Sequence, residues 1–155
     1  MSSLIETYEC KVDVKGRLMI PAGMKKQMAS VLQEGFVLRR SVFESCLELY
    51  PMSEWQEMMH KVNKLNKFKK KNKDFIRRFS AGSKVVSVDK NGRLLIPKEL
   101  IVFAEISKDI VITPSANIIE IWDKQNYEQA IDEATVDFAE LAEEVMGQDD
   151  DHGIS

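Results

Sequence analysis

The sequence predicts an α+β protein with a mostly β core, built as a pseudo-two-fold β-barrel from two internal repeats and flanked by helices. Three observations predict it. The phrase VDVKGRLMIP at 12–21 returns 76 positions later as VDKNGRLLIP at 88–97, with seven of ten positions identical. The segments around both phrases are rich in β-branched and aromatic residues and alternate in polarity, as half-buried strands do. Beyond each set of strands, apolar residues recur at helical spacing.

In the first copy, ETYECKVDV reads as a strand that turns at Lys15-Gly16 into a second strand, RLMI. Glycine supplies the positive φ that tight hairpin turns require. Pro21 suits the first position of a short helix, AGMKKQMASV, where a missing N–H costs no hydrogen bond. FVLRR and CLELY follow as a strand pair around SVFES. The second copy repeats the order: SKVVSVD, a turn at Asn91-Gly92, RLLI, Pro97, the short segment KELIVFAEI, then DIVITP and IIEIW.

LELYPMSEW (47–55) and IEIWDKQNY (119–127) each lead a strand into a helix. The first helix is expected to begin with Ser53 as N-cap and Gln56 three residues on, a capping box. Its packing stripe is Trp55, Met58, Met59, Val62 and Leu65. The second is expected to begin with Asp123 as N-cap, with Tyr127, Ile131, Phe138, Leu141 and Val145 on its stripe. Between the copies, a lysine-rich stretch precedes a short helix, DFIRRF, which Gly82 ends. The segmentation is 1–52 for the first repeat, 53–82 for linking helices with the lysine-rich segment, and 83–124 for the second repeat. A C-terminal helix at 125–146 and an acidic flexible tail at 147–155 complete it.

A lone pair of hairpins buries too little surface to be stable. Two interlocked copies protect each other's edge strands, so duplication has a structural reason. No run of about 18 apolar residues occurs, so no membrane-spanning helix is expected. The opening MSSLIETYECK lacks a basic segment followed by an apolar one, which points to a cytoplasmic protein. Cys10 and Cys46 lack the close pairing of zinc ligands and are expected as free thiols in strands. No nucleophile–base pair, metal spacing or phosphate loop is legible. The expectation is therefore a non-enzyme with no cofactor, no metal, no membrane and no small-molecule substrate.

The net charge of −3 conceals an asymmetry. Residues 1–80 carry 16 Lys and Arg against 9 Asp and Glu, whereas residues 81–155 carry 6 against 16. Asp13 and Arg17 flank the first turn, and Asp89 and Arg93 flank the second. An exposed ion pair contributes only about 0–1 kcal/mol, so stability alone is a weak reason for the motif. A guanidinium aimed outward suits a phosphate or a base edge. Lys11 and Lys15 add charge beside Arg17, which makes the first hairpin the expected DNA-reading one. The lysine cluster Lys61, Lys64, Lys67, Lys69, Lys70, Lys71 and Lys73 reads either as a solvated surface or as a nucleic-acid contact.

The order of motifs resembles the MraZ family. YECKVDVKGRLMIPA, CLELYPMSEW, RRFSAG, VDKNGRLLIP and IIEIWDKQNYEQ carry the resemblance across roughly residues 4–145. The resemblance implies two AbrB/SpoVT-like swapped-hairpin repeats and subunits assembled into a closed ring. It implies a nucleoid-associated regulator that binds tandem promoter repeats on double-stranded DNA upstream of the division and cell-wall gene cluster. By the same resemblance the DxxxR motif maps onto Asp13 and Arg17 and again onto Asp89 and Arg93, and DNA contact maps onto Lys15 and Arg17. Taken with the reading of the turns, the expected DNA-binding residues are Lys11, Lys15, Arg17 and Arg93, and the expected turn residues are Asp13, Gly16, Asp89 and Gly92. An AbrB-fold protein-binding module of the antitoxin kind, or a ring scaffold, is the alternative. The chain departs from the family pattern at Glu6, at Ile101 and Val102, where basic residues are common, and at Pro114.

Overall fold

The computed structural model describes residues 6–135 and 137–154. The chain divides into two units, Met1–Lys124 and Gln125–Ser155. The first unit contains β1 (Tyr8–Lys11), β2 (Arg17–Met19), α1 (Ala22–Gln27), β3 (Phe36–Arg40), β4 (Leu47–Pro51), α2 (Met52–Val62) and α3 (Lys70–Ser80). The second copy follows as β5 (Lys84–Val86), β6 (Arg93–Leu95), α4 (Lys98–Phe103), β7 (Asp109–Ser115) and β8 (Ile118–Asp123). The fold is α+β and mostly antiparallel sheet, as expected.

The strands form a six-stranded sheet in the order β1-β7-β8-β4-β3-β5 and a two-stranded ribbon, β2-β6. Only β3·β4 and β7·β8 pair within one copy. The pairings β1·β7, β3·β5, β4·β8 and β2·β6 all join one copy to the other. The register is pseudo-two-fold. Leu18 faces its own counterpart Leu94 in the ribbon, and Glu48 faces its counterpart Glu120 in the sheet. Alternation turns Leu18 and Leu94 inward, where both are wholly buried with Phe36, Leu38, Ile110 and Ile112. Each such side chain contributes about 1.5–3 kcal/mol by leaving water.

The strands flanking each phrase therefore do not form the long hairpin that local sequence suggests. Within a copy, the arms meet only at the single bridges Val12–Leu18 and Val88–Leu94. Each arm then leaves for the other copy, where its apolar face finds cover. The exchange is locked at the turns. Ile96 donates its backbone N–H to the carbonyl of Gly16 at 2.8 Å, and Ile20 donates to that of Gly92 at 2.9 Å. Gly16 has φ +84°, and a Cβ placed there would lie 2.7 Å from the carbonyl oxygen of Ile96. No other residue fits that contact without moving backbone.

Several local expectations are corrected. Pro21 and Pro97 occupy the cap positions of α1 and α4, one residue before the helices, with ψ of 142° and 145°. Ser53 is not the cap of α2. Pro51 holds that position and has no side-chain group to cap the helix. Ser53 instead donates both its backbone N–H and its hydroxyl to Glu34, at 3.0 and 2.9 Å. The segment DFIRRF is the end of a longer α3, which stops at Ala81 with Gly82 beyond it at φ +75°. Cys46 is buried but precedes β4, and both cysteines are free. Burial pushes the Cys46 thiol up to about 12.

Asymmetry between the copies is concentrated at Arg39, which is 3% exposed. It donates to Glu48 through Nε and Nη2 at 3.1 and 2.7 Å and to the Phe79 carbonyl at 2.8 Å. Its guanidinium also lies over the Phe79 ring, and Phe79 stacks on Trp55, so α2 and α3 are fastened to the sheet. Glu120, facing Glu48, accepts a hydrogen bond from Trp122 instead, and burial followed by the charge of Glu48 raises its pKa.

The second unit continues α5 (Lys124–Thr135) and contains α6 (Phe138–Ile154). One helix over 125–146 was the expectation, and two are present. Asp137 restarts the helix: its carboxylate accepts the backbone N–H of Glu140 at 3.3 Å, an N-cap bond. α6 takes in residues 147–154 of the stretch read as a tail, while Ser155 and Val136 lie outside the described residues. Ile131, Phe138, Leu141 and Val145, expected as a packing stripe, are each more than two-fifths exposed.

Gly16→Ala is expected to destabilise the chain by at least about 2 kcal/mol, combining left-handed strain with the clash against Ile96. Urea denaturation measures it, and an unchanged midpoint would refute the locked exchange.

Candidate nucleic-acid interface

The two turns are built alike. In the first, Gly16 donates its N–H to the Asp13 carbonyl at 2.9 Å, and Asp13 donates to the Arg17 carbonyl at 3.0 Å. The Asp13 carboxylate tightens the loop by accepting the N–H groups of Lys15 and Arg17, both at 2.9 Å. In the second, Asp89 accepts the N–H groups of Asn91 and Arg93 at the same distance. The Asp of the motif is thus first a shaper of backbone.

The arginines differ in how they are held. Arg17 donates from Nε to Asp13 Oδ2 at 2.7 Å. That bond fixes the guanidinium, and its two terminal amino groups have no hydrogen-bond partner among the described residues. Arg93 Nε lies 3.7 Å from Asp89 Oδ2 and is buried without a hydrogen-bond partner among the described residues. Both side chains are partly exposed, at 40% and 34%.

Strand alternation decides where they point. With Leu18, Ile20, Leu94 and Ile96 buried, the residues between them face outward from the ribbon. That outer face carries Arg17 opposite Leu95 and Met19 opposite Arg93. Met19 and Leu95 are 54% and 56% exposed. Sequence reasoning missed these two. A residue two places from each arginine in an alternating strand was the available signal. Val14 and Lys15 at the first turn, and Lys90 and Asn91 at the second, are exposed at the ribbon's ends.

The exchange also moves charge between the copies. Lys25, on α1 of the first copy, has its Nζ 3.0 Å from where a Cβ on Gly92 would stand. The first turn instead borders a cleft of about 370 Å³ lined by Lys15, Lys98, Ile101 and Val102. The basic half of the sequence thus supplies a lysine to the turn written in the acidic half. Lys11 lies on β1 of the six-stranded sheet, opposite Asp109, not on the ribbon.

The two aspartates sit in positive surroundings. Asp13 is held below the usual carboxylate range, first by the Arg17 amide, then by the Arg17 side chain and the Lys15 amide. Asp89 is lowered first by the Arg93 amide, then by that of Asn91 and by the charges of Arg93 and Arg17. Arg17 therefore acts on the carboxylates of both turns. Among the described residues, no group of three His, Cys, Asp or Glu is placed to hold a metal ion. Among them, too, no helix is long and apolar enough to cross a membrane.

A two-stranded antiparallel ribbon with basic and apolar groups on its outer face has the form that β-ribbon nucleic-acid readers use. Comparison with known proteins narrows the class. The model of the family described as "MraZ protein, putative antitoxin-like" matches twice, over residues 4–78 and 79–149. The transcriptional regulator MraZ of Christiangramia forsetii is 62% identical over 155 residues, covering all of both chains. That of Flavobacterium psychrophilum is 64% identical over 157 aligned positions, again covering all of both, and that of Bacteroides thetaiotaomicron is 36% identical over 96% of each. The chain belongs to the MraZ family.

A carboxylate with a depressed pKa stabilises the fold fully above its ordinary value, near pH 4, and that contribution is lost as pH falls through the lowered value. Asp13→Asn is therefore expected to be less stable than the parent at neutral pH. The difference should shrink steadily below about pH 4, measured as denaturation midpoints. A pH-independent difference would show that the charge of Asp13 is not involved.

Proposed function

We propose that this chain is a transcriptional regulator that reads double-stranded DNA with the outer face of the β2·β6 ribbon. One observation carries the reading: the fold brings both DxxGR turns onto a single ribbon and leaves the terminal amino groups of Arg17 unengaged among the described residues. A guanidinium steadied through Nε presents its other edge as a fork suited to guanine O6 and N7. Met19 and Leu95 offer apolar contact to a thymine methyl. Lys15, Lys25 and Lys90 supply phosphate contacts, which set register without specifying sequence.

One ribbon makes few contacts, so a single copy binds weakly. Several copies on a closed ring, each built on a closed swapped-hairpin barrel, would meet tandem promoter repeats together. Effective concentration then raises avidity by about 10²–10⁴. The repeats belong upstream of the division and cell-wall gene cluster, the chain's own promoter included. The relatives' name, transcriptional regulator, and the double family match support the regulatory part of this reading.

A second reading, an antitoxin-like protein-binding module, draws on the exposed apolar residues Phe138, Leu141 and Val145 of α6. A stoichiometric protein partner that co-purifies with the chain would favour it.

Arg17→Ala is expected to lose at least about tenfold in affinity for DNA from the chain's own upstream region. Assembly size should not change. Gel-shift titration and light scattering measure the two, and unchanged affinity would sink the assignment.

A further inference from the structure

The lysine-rich stretch is absorbed neither by the fold nor by the ribbon. It forms the loop between α2 and α3 and the first turn of α3. Its ion pairs are confined to Asp74, which binds Lys70 at 2.9 Å and Arg77 at 3.2 Å. Lys64, Lys67, Lys69, Lys71 and Lys73 are exposed and make no ion pair among the described residues. Among them stands Phe68, fully exposed.

The loop is shaped, not slack. The Asn66 carboxamide oxygen accepts the N–H of Phe68 at 3.0 Å, and its carbonyl accepts the carboxamide of Asn72 at 2.9 Å. At its far end, α3 is pinned by buried Phe79 beneath Arg39. A hydrogen-bonded hairpin therefore holds one exposed aromatic ring amid cations that make no ion pair among the described residues. An open groove lined by Lys67, Lys73, Ile76 and Arg77 runs beside it.

We infer that this hairpin is a second DNA contact, engaging the phosphate backbone of duplex outside the stretch read by the ribbon. The chemistry favours a nucleic acid over a lipid surface. Membrane docking needs a wide apolar face. On α3 Phe79 is buried and Phe75 is stacked on it but still 47% exposed; with Ile76 in the groove and Phe68 on the loop, the exposed apolar groups are few and interspersed with cations, not one wide face. Clustered cations that neutralise phosphates release counterions, a gain that needs no apolar face. Phe68 then packs against a deoxyribose or base edge at the groove. The inference rests on the reading of the ribbon as the sequence-specific element, to which it adds sequence-independent affinity.

The test uses the full chain with Lys67, Lys69, Lys71 and Lys73 all changed to alanine, with Phe68→Ala and Arg17→Ala alongside. All four lysines are on the surface, and thermal melting confirms that the variant folds. Anisotropy titrations use three duplexes: one from the chain's own upstream region, the same trimmed to its footprint, and a random sequence of the longer length. The lysine variant is expected to bind both long duplexes at least about tenfold more weakly, with a salt slope lowered by about 2–4 and discrimination retained. Phe68→Ala should weaken both long duplexes less. Trimming the flanks should remove most of the difference. An unchanged slope and affinity in the lysine variant, while Arg17→Ala loses discrimination, would overturn the hairpin contact and leave the ribbon standing. Lost discrimination in the lysine variant with unchanged binding by Arg17→Ala would overturn the ribbon reading and this inference with it. So would absence of wild-type binding to every duplex. Loss of co-sedimentation with phosphatidylglycerol vesicles and no change on DNA would assign the hairpin to a membrane and overturn the inference.

Discussion

Ile96 donates its backbone N–H to Gly16 and Ile20 donates to Gly92, so each turn is closed by the other copy. These bonds join the two DxxGR turns across the pseudo-two-fold axis at Leu18 and Leu94. Remove the close approach at Gly16 and the ribbon loses its register. With the register goes the alternation that buries Leu18 and Leu94 and turns Arg17 and Arg93 outward. The rest of the first unit is arranged around this exchange, since four of its six strand pairings cross between copies.

The exchange also explains which parts of the structure were legible. The turns were legible because Gly16 and Gly92 need positive φ, and φ is a property of one residue. The strands and the two short helices were legible from period and proline, but several are shorter than expected, α1 and α4 stopping at Gln27 and Phe103 and β1 spanning only Tyr8–Lys11. What local reasoning missed depends on partners far along the chain. It expected the arms of each turn to pair with each other, because neighbours in sequence usually do, whereas burial was available only across copies. Lys25 went unnoticed for the same reason: it meets Gly92, more than sixty positions away. The capping box at Ser53 failed because Pro51 already ended the strand with ψ 145° and Glu34 had claimed the serine.

The copies have diverged in what they hold. Arg39 neutralises Glu48 in the first copy, while Glu120 in the second relies on Trp122. Asp13 grips Arg17 at 2.7 Å, and Asp89 stands 3.7 Å from Arg93. The first arginine is thus pre-oriented and the second is less constrained. Pre-orientation lowers the ordering cost of any contact that Arg17 makes on the proposed reading.

The central claim is that duplex DNA lies on the outer face of the ribbon. It is tested most directly by placing a photo-reactive p-benzoylphenylalanine at Met19 and, separately, at Leu95, and irradiating each protein bound to DNA from its own upstream region. Both positions sit outward and beside an arginine on the opposite strand. Covalent protein–DNA adducts from both positions, absent with the same probe at exposed Glu57 on α2, are the expected result. Tight DNA binding with no adduct from either ribbon position would contradict it.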